Sequence, residues 1–170
     1  MEAVIYNFNI MRSLSKEYLQ QASKDSDPDC TTSILYSAFS LEGYLNYAGE
    51  KLFTCWQEIE KSLSPIAKIK LIAEDLGIEI DFSIRPFQTV KQVFNVRNHV
   101  GHPKAELANG DYSSKENLPK PVWEKNSTIQ LAERAIEDFG NLIYEKFGGL
   151  DIQKRKNFDS QPNKTLERNI

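Results

Sequence analysis

Cysteine is scarce in this chain of 170 residues, which contains only Cys30 and Cys55. Two distant cysteines provide neither the paired spacing of a zinc site nor a disulfide framework, and we expect both to be reduced thiols. Long apolar runs are also missing, since no stretch approaches the roughly 18 residues that would cross a bilayer. The start, Met1-Glu2-Ala3, lacks the basic and apolar segments of a signal peptide. These absences predict a cytoplasmic protein without a membrane partner.

The chain also lacks the basic excess that is typical of nucleic-acid-binding proteins. Its 21 lysines and arginines are outnumbered by 24 aspartates and glutamates, which gives a formal net charge of −3. Residues 151–170 carry a net +2, so the body before them carries −5. This balance argues against a broad, nonspecific RNA-binding surface, and any contact with RNA should be local.

Several common catalytic signatures are missing as well. The sequence contains no Gly-rich phosphate loop, no Gly-x-Ser-x-Gly elbow and no carboxylate cluster with metal-ligand spacing. His99 and His102 are three positions apart, an interval at which a helix can present two zinc ligands. Gly101 would disturb that geometry, however, and no nearby acid or cysteine completes a ligand set. We therefore expect neither a metal nor another cofactor.

Apolar residues recur at helical spacing along most of the chain, which predicts an all-α protein. The pattern gives an up-and-down bundle of about five helices in one domain over 1–150, and a flexible polar tail over 151–170. The first predicted helix is 2–23, and a long second helix runs from Thr31 or Thr32 to about Trp56. The third opens at Ser64-Pro65 and ends at Gly77, and Ser83 caps the fourth. The last begins at Asn126 or Ser127 and stops at Gly148-Gly149.

The most reactive side chains lie together at the end of the fourth predicted helix, in 93–103. This segment contains Arg97, Asn98 and the only two histidines of the chain, His99 and His102. A guanidinium binds phosphate oxygens in bidentate fashion, an imidazole can take or give a proton near neutral pH, and Asn98 can add a neutral hydrogen bond. Arginine and histidine are also favoured at helix C-termini because they complement the helix dipole, so a purely capping role stays open.

The end of this helix decides whether the two functional side chains meet. On an ideal helix Arg97 and His102 would point about 140° apart. We expect Gly101 to end the helix in the left-handed conformation, and Pro103 cannot prolong it. His102 would then fold back over the helix end towards Arg97.

A second polar pair, Glu42 and Asn46, lies one turn apart on an otherwise apolar or small flank of the long helix. Either the two residues mark the boundary between core and solvent, or Glu42 pairs with Arg97 or orients His102 from the neighbouring helix. Small residues that would let another helix approach closely, within the bundle or across a dimer, follow the same helix: Ala38, Gly43, Ala48 and Gly49.

The pattern Arg97-Asn98-x-x-x-His102 resembles the arginine–histidine motif of the HEPN superfamily, in which a polar residue follows the arginine. This resemblance implies a small helical bundle, usually dimeric, and in many members a metal-independent endoribonuclease of toxin–antitoxin or other defence systems. It implies catalytic roles for Arg97, Asn98 and His102, and a cleft that two copies of the chain share. The implied partners are RNA, a second copy of the chain and a cognate antitoxin or regulatory protein.

Two functions follow from these observations. In the first, the chain is an endoribonuclease in which His102 transfers a proton as the RNA 2′-hydroxyl attacks the adjacent phosphate, and Arg97 stabilises the charge on the phosphoryl oxygens. In the second, the same residues only bind phosphate or cap the helix, and the chain is a noncatalytic nucleotide-binding or protein-interaction module. The acidic body favours the second function, and the complete motif favours the first. The long loop predicted over 103–125 adjoins His102, and it either shapes a substrate cleft or is a tolerated insertion.

Overall fold

The computed structural model describes residues 5–106 and 119–152, and every regular element within these ranges is helical. The all-α bundle that the sequence predicts is confirmed, with five helices of at least 11 residues and two short ones. The longer helices are α1 (Asn7–Gln21), α2 (Pro28–Leu52), α4 (Pro65–Asp75), α5 (Phe87–Gly101) and α7 (Ile129–Gly140). The short ones are α3 (Trp56–Ile59) and α6 (Val122–Asn126). The predicted tail over 151–170 begins too early, because Asp151 ends a short helical turn and Ile152 is fully buried in the core. From residue 153 onward, this tail lies outside the described residues.

Helix α2 is the centre of the bundle and packs against α1, α4, α5 and α7. Its side chains Ile34, Leu41 and Leu45 recur at helical intervals and are fully buried. Burying each such side chain contributes about 1.5–3 kcal/mol to folding, so this face fixes the position of its neighbours. The side chains that surround it come from the other elements: Phe8, Ile69, Ile72, Val90, Val93, Phe94, Leu131, Phe139, Leu142 and Ile143.

Buried serines hold α1 against α2. Ser15 Oγ lies 2.6 Å from Ser37 Oγ and donates to the Ser33 carbonyl at 2.9 Å, while Ser33 Oγ donates to the Ser15 carbonyl at 2.8 Å. One helical turn further along, Ser40 Oγ donates to the Phe8 carbonyl at 2.8 Å. These small side chains let the two helices approach closely, and the hydroxyls of all four serines are hydrogen-bonded.

The starts of α1 and α2 differ from the predicted ones. Helix α1 begins only at Asn7, and α2 begins at Pro28, before the predicted cap at Thr31 or Thr32. Asp27 caps α2, because its carboxylate accepts a hydrogen bond from the Asp29 N–H at 3.1 Å. Proline is compatible with the first helical position, where its missing N–H is not needed.

The predicted cap of α5 is also wrong. Ser83 does not cap the helix, because its hydroxyl and its N–H both donate to the Asp81 carboxylate, at 2.6 and 2.7 Å. Helix α5 starts at Phe87 without any side-chain cap. By contrast, the prediction for α4 is confirmed, since the Ser64 hydroxyl accepts from the Ala67 N–H at 3.2 Å.

The last long helix begins slightly later than predicted. Thr128, rather than Asn126 or Ser127, caps α7, and its hydroxyl accepts from the Leu131 N–H at 3.1 Å. A π-helical segment, Asn141–Lys146, continues α7. The predicted stop is confirmed, because the glycines at 148 and 149 take positive φ values of 87° and 57°.

The predicted loop over 103–125 includes part of a short helix that the sequence does not predict. Helix α6 occupies Val122–Asn126, and the short stretch 103–106 follows α5 without regular structure. Residues 107–118 lie outside the described residues. Within the described ranges, no helix has the length and apolar character to cross a membrane.

The small residues of α2 serve packing within the chain. A Cβ atom on Gly49 would lie 2.0 Å from the ring of Trp56, which is almost fully buried, and a Cβ atom on Gly43 would lie 3.3 Å from the Cβ atom of Phe8. Ala38 and Ala48 are fully buried in the core. The chain's own residues therefore cover this flank, and the alternative of a dimer seam along it is wrong.

A charged cluster fixes the first turn of α5 against α7. The Asp138 carboxylate, which is almost fully buried, accepts from Arg85 Nε at 2.9 Å, from Arg85 Nη2 at 2.7 Å and from the buried Thr89 hydroxyl at 2.5 Å. Glu137 accepts a further bond from Arg85 at 2.7 Å. The hydrogen bonds to Asp138 and then to Glu137 raise the pKa of Arg85 above its already high value. This cluster orients the helix that carries the arginine–histidine motif.

Candidate functional site

The motif occupies the last turns of α5, where one face of the helix is anchored in the core. Val93, Phe94 and Val96 are buried, and they hold the end of α5 against the bundle. Arg97 is partly exposed at the edge of this face, and Asn98 next to it is exposed. The buried face therefore sets the direction in which the polar residues project.

The helix ends at His102, and the expected left-handed turn at Gly101 is wrong. Gly101 stays helical because the His102 N–H donates to the Asn98 carbonyl at 2.9 Å, which continues the helical hydrogen-bond ladder through the glycine. His102 itself leaves the helix, with φ −133° and ψ 65°. Its neighbour Pro103 explains this conformation, because a proline disfavours the helical region for the residue before it.

Two side chains hold the Arg97 guanidinium. Arg97 Nη2 forms an ion pair with Glu42 Oε2 at 3.2 Å, and Arg97 Nη1 donates to Asn98 Oδ1 at 3.1 Å. The side chains of Arg97 and Glu42 are 28% and 24% exposed, so the pair lies at the surface of the α2–α5 contact and is accessible to a ligand. The structure thus brings Glu42 to Arg97, which was one of the two alternatives for this glutamate.

His102 is exposed, and its imidazole has no hydrogen-bond partner within 5–106 and 119–152. It lines the same shallow cleft as Arg97, with a volume of about 280 Å³. The other walls of this cleft are Leu35, Phe39, Val100 and Gly101. On its other side, His102 lines a second depression together with Asn98, His99 and Lys104. A ligand at His102 would therefore contact Arg97 on one side and Asn98 on the other.

His99 differs from His102 in its surroundings. Its Nδ1 lies 2.8 Å from the Asn95 carbonyl, which can only accept, so Nδ1 carries a proton. This bond stays within α5 and fixes the ring. Among the described residues, no group of three or more histidine, cysteine, aspartate or glutamate side chains is placed to hold a metal ion.

Asn46 takes part in a different contact from the one considered for it. Its Oδ1 accepts from Lys68 Nζ on α4 at 2.6 Å, and no hydrogen bond among the described residues joins it to Arg97 or His102. Lys68 is almost fully buried, which sequence reasoning missed. The lysine lies next to the buried Ile69, so periodicity alone could have placed it at the edge of the α4 core face.

This arrangement supplies two complementary functions in one cleft. The Arg97 guanidinium has five N–H donors, so it can bind phosphate oxygens while it keeps its contacts with Glu42 and Asn98. The His102 imidazole can accept or donate a proton. Each chain contributes one such imidazole from the motif.

No family model, curated protein or solved structure matches this chain.

Proposed function

We propose that the protein is a metal-independent endoribonuclease of the HEPN type, which acts in the cytoplasm in a toxin–antitoxin or phage-defence setting. The observation that supports this function best is the combination at the end of α5. Arg97 is held by Glu42 and Asn98, and the exposed imidazole of His102 lines the same cleft. The arginine–histidine motif of this superfamily likewise places a polar residue after the arginine and a histidine a few positions further on.

The reaction is an attack of the RNA 2′-hydroxyl on the adjacent phosphorus. His102 takes the hydroxyl proton as the 2′-oxygen–phosphorus bond forms, and Arg97 stabilises the negative charge that develops on the phosphoryl oxygens. The bond from phosphorus to the 5′-oxygen breaks, and that oxygen takes up a proton. The products are a 2′,3′-cyclic phosphate and a free 5′-hydroxyl, and Asn98 keeps Arg97 in position.

We further propose a homodimer in which both motifs face one groove. A transesterification benefits from an acid and a base on opposite sides of the phosphorus, and a two-fold axis would supply the second His102. Phe39 is 43% exposed and lines the motif cleft with Leu35 and Val100, so apolar surface for a second copy lies directly beside Arg97. A cognate antitoxin or regulatory protein would act by covering this groove.

A series of variants tests the catalytic assignment. Arg97→Ala and His102→Ala should each lower RNA cleavage by roughly 10² or more, because each removes a charge-stabilising or proton-transferring group. His99→Ala is the matched control, since it removes an imidazole of the same helix that is bonded to the backbone. Equal losses at His99 and His102 would contradict the assignment, and so would cleavage that disappears with EDTA.

A fused dimer tests the shared groove. In a wild-type chain linked to one that carries both Arg97→Ala and His102→Ala, independent sites would leave about half of the activity, whereas a composite site should lose far more. The control is a fusion of two wild-type chains with the same linker. Half activity, or a monomer in light scattering, would contradict the dimer.

A noncatalytic phosphate-binding or interaction module is the second candidate. The carboxylate of Glu42 lies 3.2 Å from the guanidinium and offsets part of its charge, and the formal charge of the chain is −3. Both features lower the attraction for RNA. This candidate predicts that nucleotides bind to the wild-type protein and that RNA stays intact.

A further inference from the structure

The exposed side of α5 carries a continuous row of clefts that starts at the motif. Asn98 lines the depression beside His102, and it also lines the next cleft with Lys91, Gln92 and Asn95. These clefts have volumes of about 570 and 440 Å³. Neighbouring clefts along this face share a wall residue, so one ligand can occupy them in succession.

The row continues from α5 onto α6 and α7. Gln92 and Asn95 also line a third cleft, of about 350 Å³, together with Lys125 and Arg134. Because a helix rises 1.5 Å per residue, Gln92 lies roughly 15 Å along α5 from His102. We call the surface formed by Lys91, Gln92, Asn95, Asn98, Lys125 and Arg134 the α5 strip. Its length corresponds to a few nucleotides of an extended strand.

The α5 strip differs from the rest of the protein in its charge. Among the residues that the structure describes, no carboxylate lines any of its three clefts, although acidic side chains outnumber basic ones in the chain as a whole. Among the described residues, Lys91, Lys125 and Arg134 form no ion pair. The charges of Lys125 and Arg134 are therefore available for a ligand. By contrast, Lys91 Nζ lies 5.2 Å from the centroid of the Phe82 ring, and two carboxylates engage Arg85.

The chemistry of the strip suits a single strand of RNA. Cations bind phosphates at intervals, and the side-chain amides of Gln92, Asn95 and Asn98 present both donors and acceptors, which suit base edges and ribose hydroxyls. Its clefts are open depressions on a convex helix face, whereas the edges of bases in a duplex are largely hidden in the grooves. A flexible single strand can follow such a face.

We infer that the α5 strip binds the substrate RNA on one side of the scissile phosphate, with Lys125 and Arg134 on backbone phosphates. This inference rests on the proposed ribonuclease function, because the motif at His102 defines where the strand is cut. It explains how a protein with an acidic body can hold RNA through a local surface.

Binding of a fluorescent single-stranded RNA to the cleavage-deficient His102→Ala protein tests the inference. Adding Lys125→Gln and Arg134→Gln should weaken binding roughly tenfold or more and lower the slope of log affinity against log salt by roughly 1.4, since two phosphate contacts are lost. The control pair Lys16→Gln and Lys61→Gln removes the same charge from exposed positions outside the strip and should change binding little.

A second pair of variants keeps size and shape. Asn95→Asp places a carboxylate in the middle of the strip, and Asn7→Asp places one at the exposed start of α1. Only Asn95→Asp should weaken RNA binding, and in the protein with an intact motif it should raise KM more than it lowers kcat. Circular dichroism melts would verify that both variants fold.

The outcomes separate this inference from the function on which it rests. If the strip variants bind RNA with the same affinity as their controls, the inference that the strip binds RNA is wrong, whereas the proposed ribonuclease function is unaffected. If the wild-type protein never cleaves RNA but binds it in a way that depends on the strip, the proposed ribonuclease function is wrong. The strip would then be supported as a binding surface. A His102→Ala protein that binds no RNA would overturn the inference directly.

Discussion

Arg97 is the residue of the candidate site whose side chain is held most firmly in position. Its guanidinium is fixed before any ligand binds, by Glu42 from α2 and by Asn98 from its own helix. A cation that is already oriented needs little reorganisation when charge develops on a phosphate, which is the main source of electrostatic catalysis. The cost is that Glu42 competes with the phosphate for the same group.

Glu42→Gln tests this balance. The ion pair is partly exposed, so its loss should cost at most about 1 kcal/mol, and the melting temperature should fall by no more than a few degrees. Cleavage should weaken because the guanidinium loses its strongest anchor. Glu50→Gln, an exposed residue of the same helix, is the control. A large loss of stability with unchanged cleavage would give Glu42 a purely structural role.

At the scale of the element, Asp27 determines where α2 begins. Hydrogen bonds from the Asp29 backbone and from Ser23 lower the pKa of Asp27 below its ordinary value of 3.8. A carboxylate with a lowered pKa stabilises the fold above its unfolded pKa, and this contribution is lost as the pH falls through the folded pKa. The capped end of α2 should therefore weaken under acid conditions.

Asp27→Asn tests the pH dependence of this cap. Asparagine still accepts the capping hydrogen bond but carries no charge, so the wild-type protein should melt at a higher temperature near pH 7. This advantage should persist down to about pH 4 and shrink below it. Thermal melts between pH 7 and pH 3 measure the difference, with Glu17→Gln on exposed α1 as the control for removing one carboxylate. An advantage that stays constant over this range would contradict the role of the charge.

The charged cluster of Arg85, Glu137 and Asp138 with Thr89 fixes the start of α5, the helix that carries the motif. Thr89→Val keeps the shape of a fully buried side chain but removes its hydrogen bond to Asp138. A hydrogen bond to a charged group contributes about 1.5–3 kcal/mol to stability. The free energy of unfolding measured in urea should therefore fall by about that amount.

Thr32→Val is the control for this change, because its hydroxyl donates to a carbonyl of its own helix near the surface. Its effect should be clearly smaller. Equal effects of the two substitutions would show that the bond to Asp138 adds little to the stability of the α5–α7 contact.

At the scale of the whole molecule, the sequence predicts the helices better than their beginnings. Periodic apolar residues such as Ile34, Leu41 and Leu45 define α2 unambiguously. The predicted start of α2 is wrong because Asp27 and Thr31 are both good capping residues, and the choice between them depends on which one finds a free N–H. Local patterns cannot decide between two candidates of similar strength.

The sequence likewise predicts some features of the candidate site and not others. Arg97 and His102 could be found from the sequence because they are neighbours in one segment. The contact of Asn46 with Lys68 and the approach of Arg134 to α5 depend on how separate helices pack. No local sequence pattern predicts them. Glu42 lies between these cases: its position on a flank of α2 was visible, and its partner became clear only from the packing of α2 on α5.

The proposed cleavage of RNA at the Arg97–His102 cleft without a metal is tested most directly by the ends of the cleavage products. The purified protein is incubated with a defined single-stranded RNA in EDTA, and mass spectrometry identifies the new termini. We predict 2′,3′-cyclic phosphate and 5′-hydroxyl ends with the wild-type chain and with His99→Ala, and intact RNA with His102→Ala. Intact RNA with the wild-type chain, or the same products with His102→Ala, would contradict the claim.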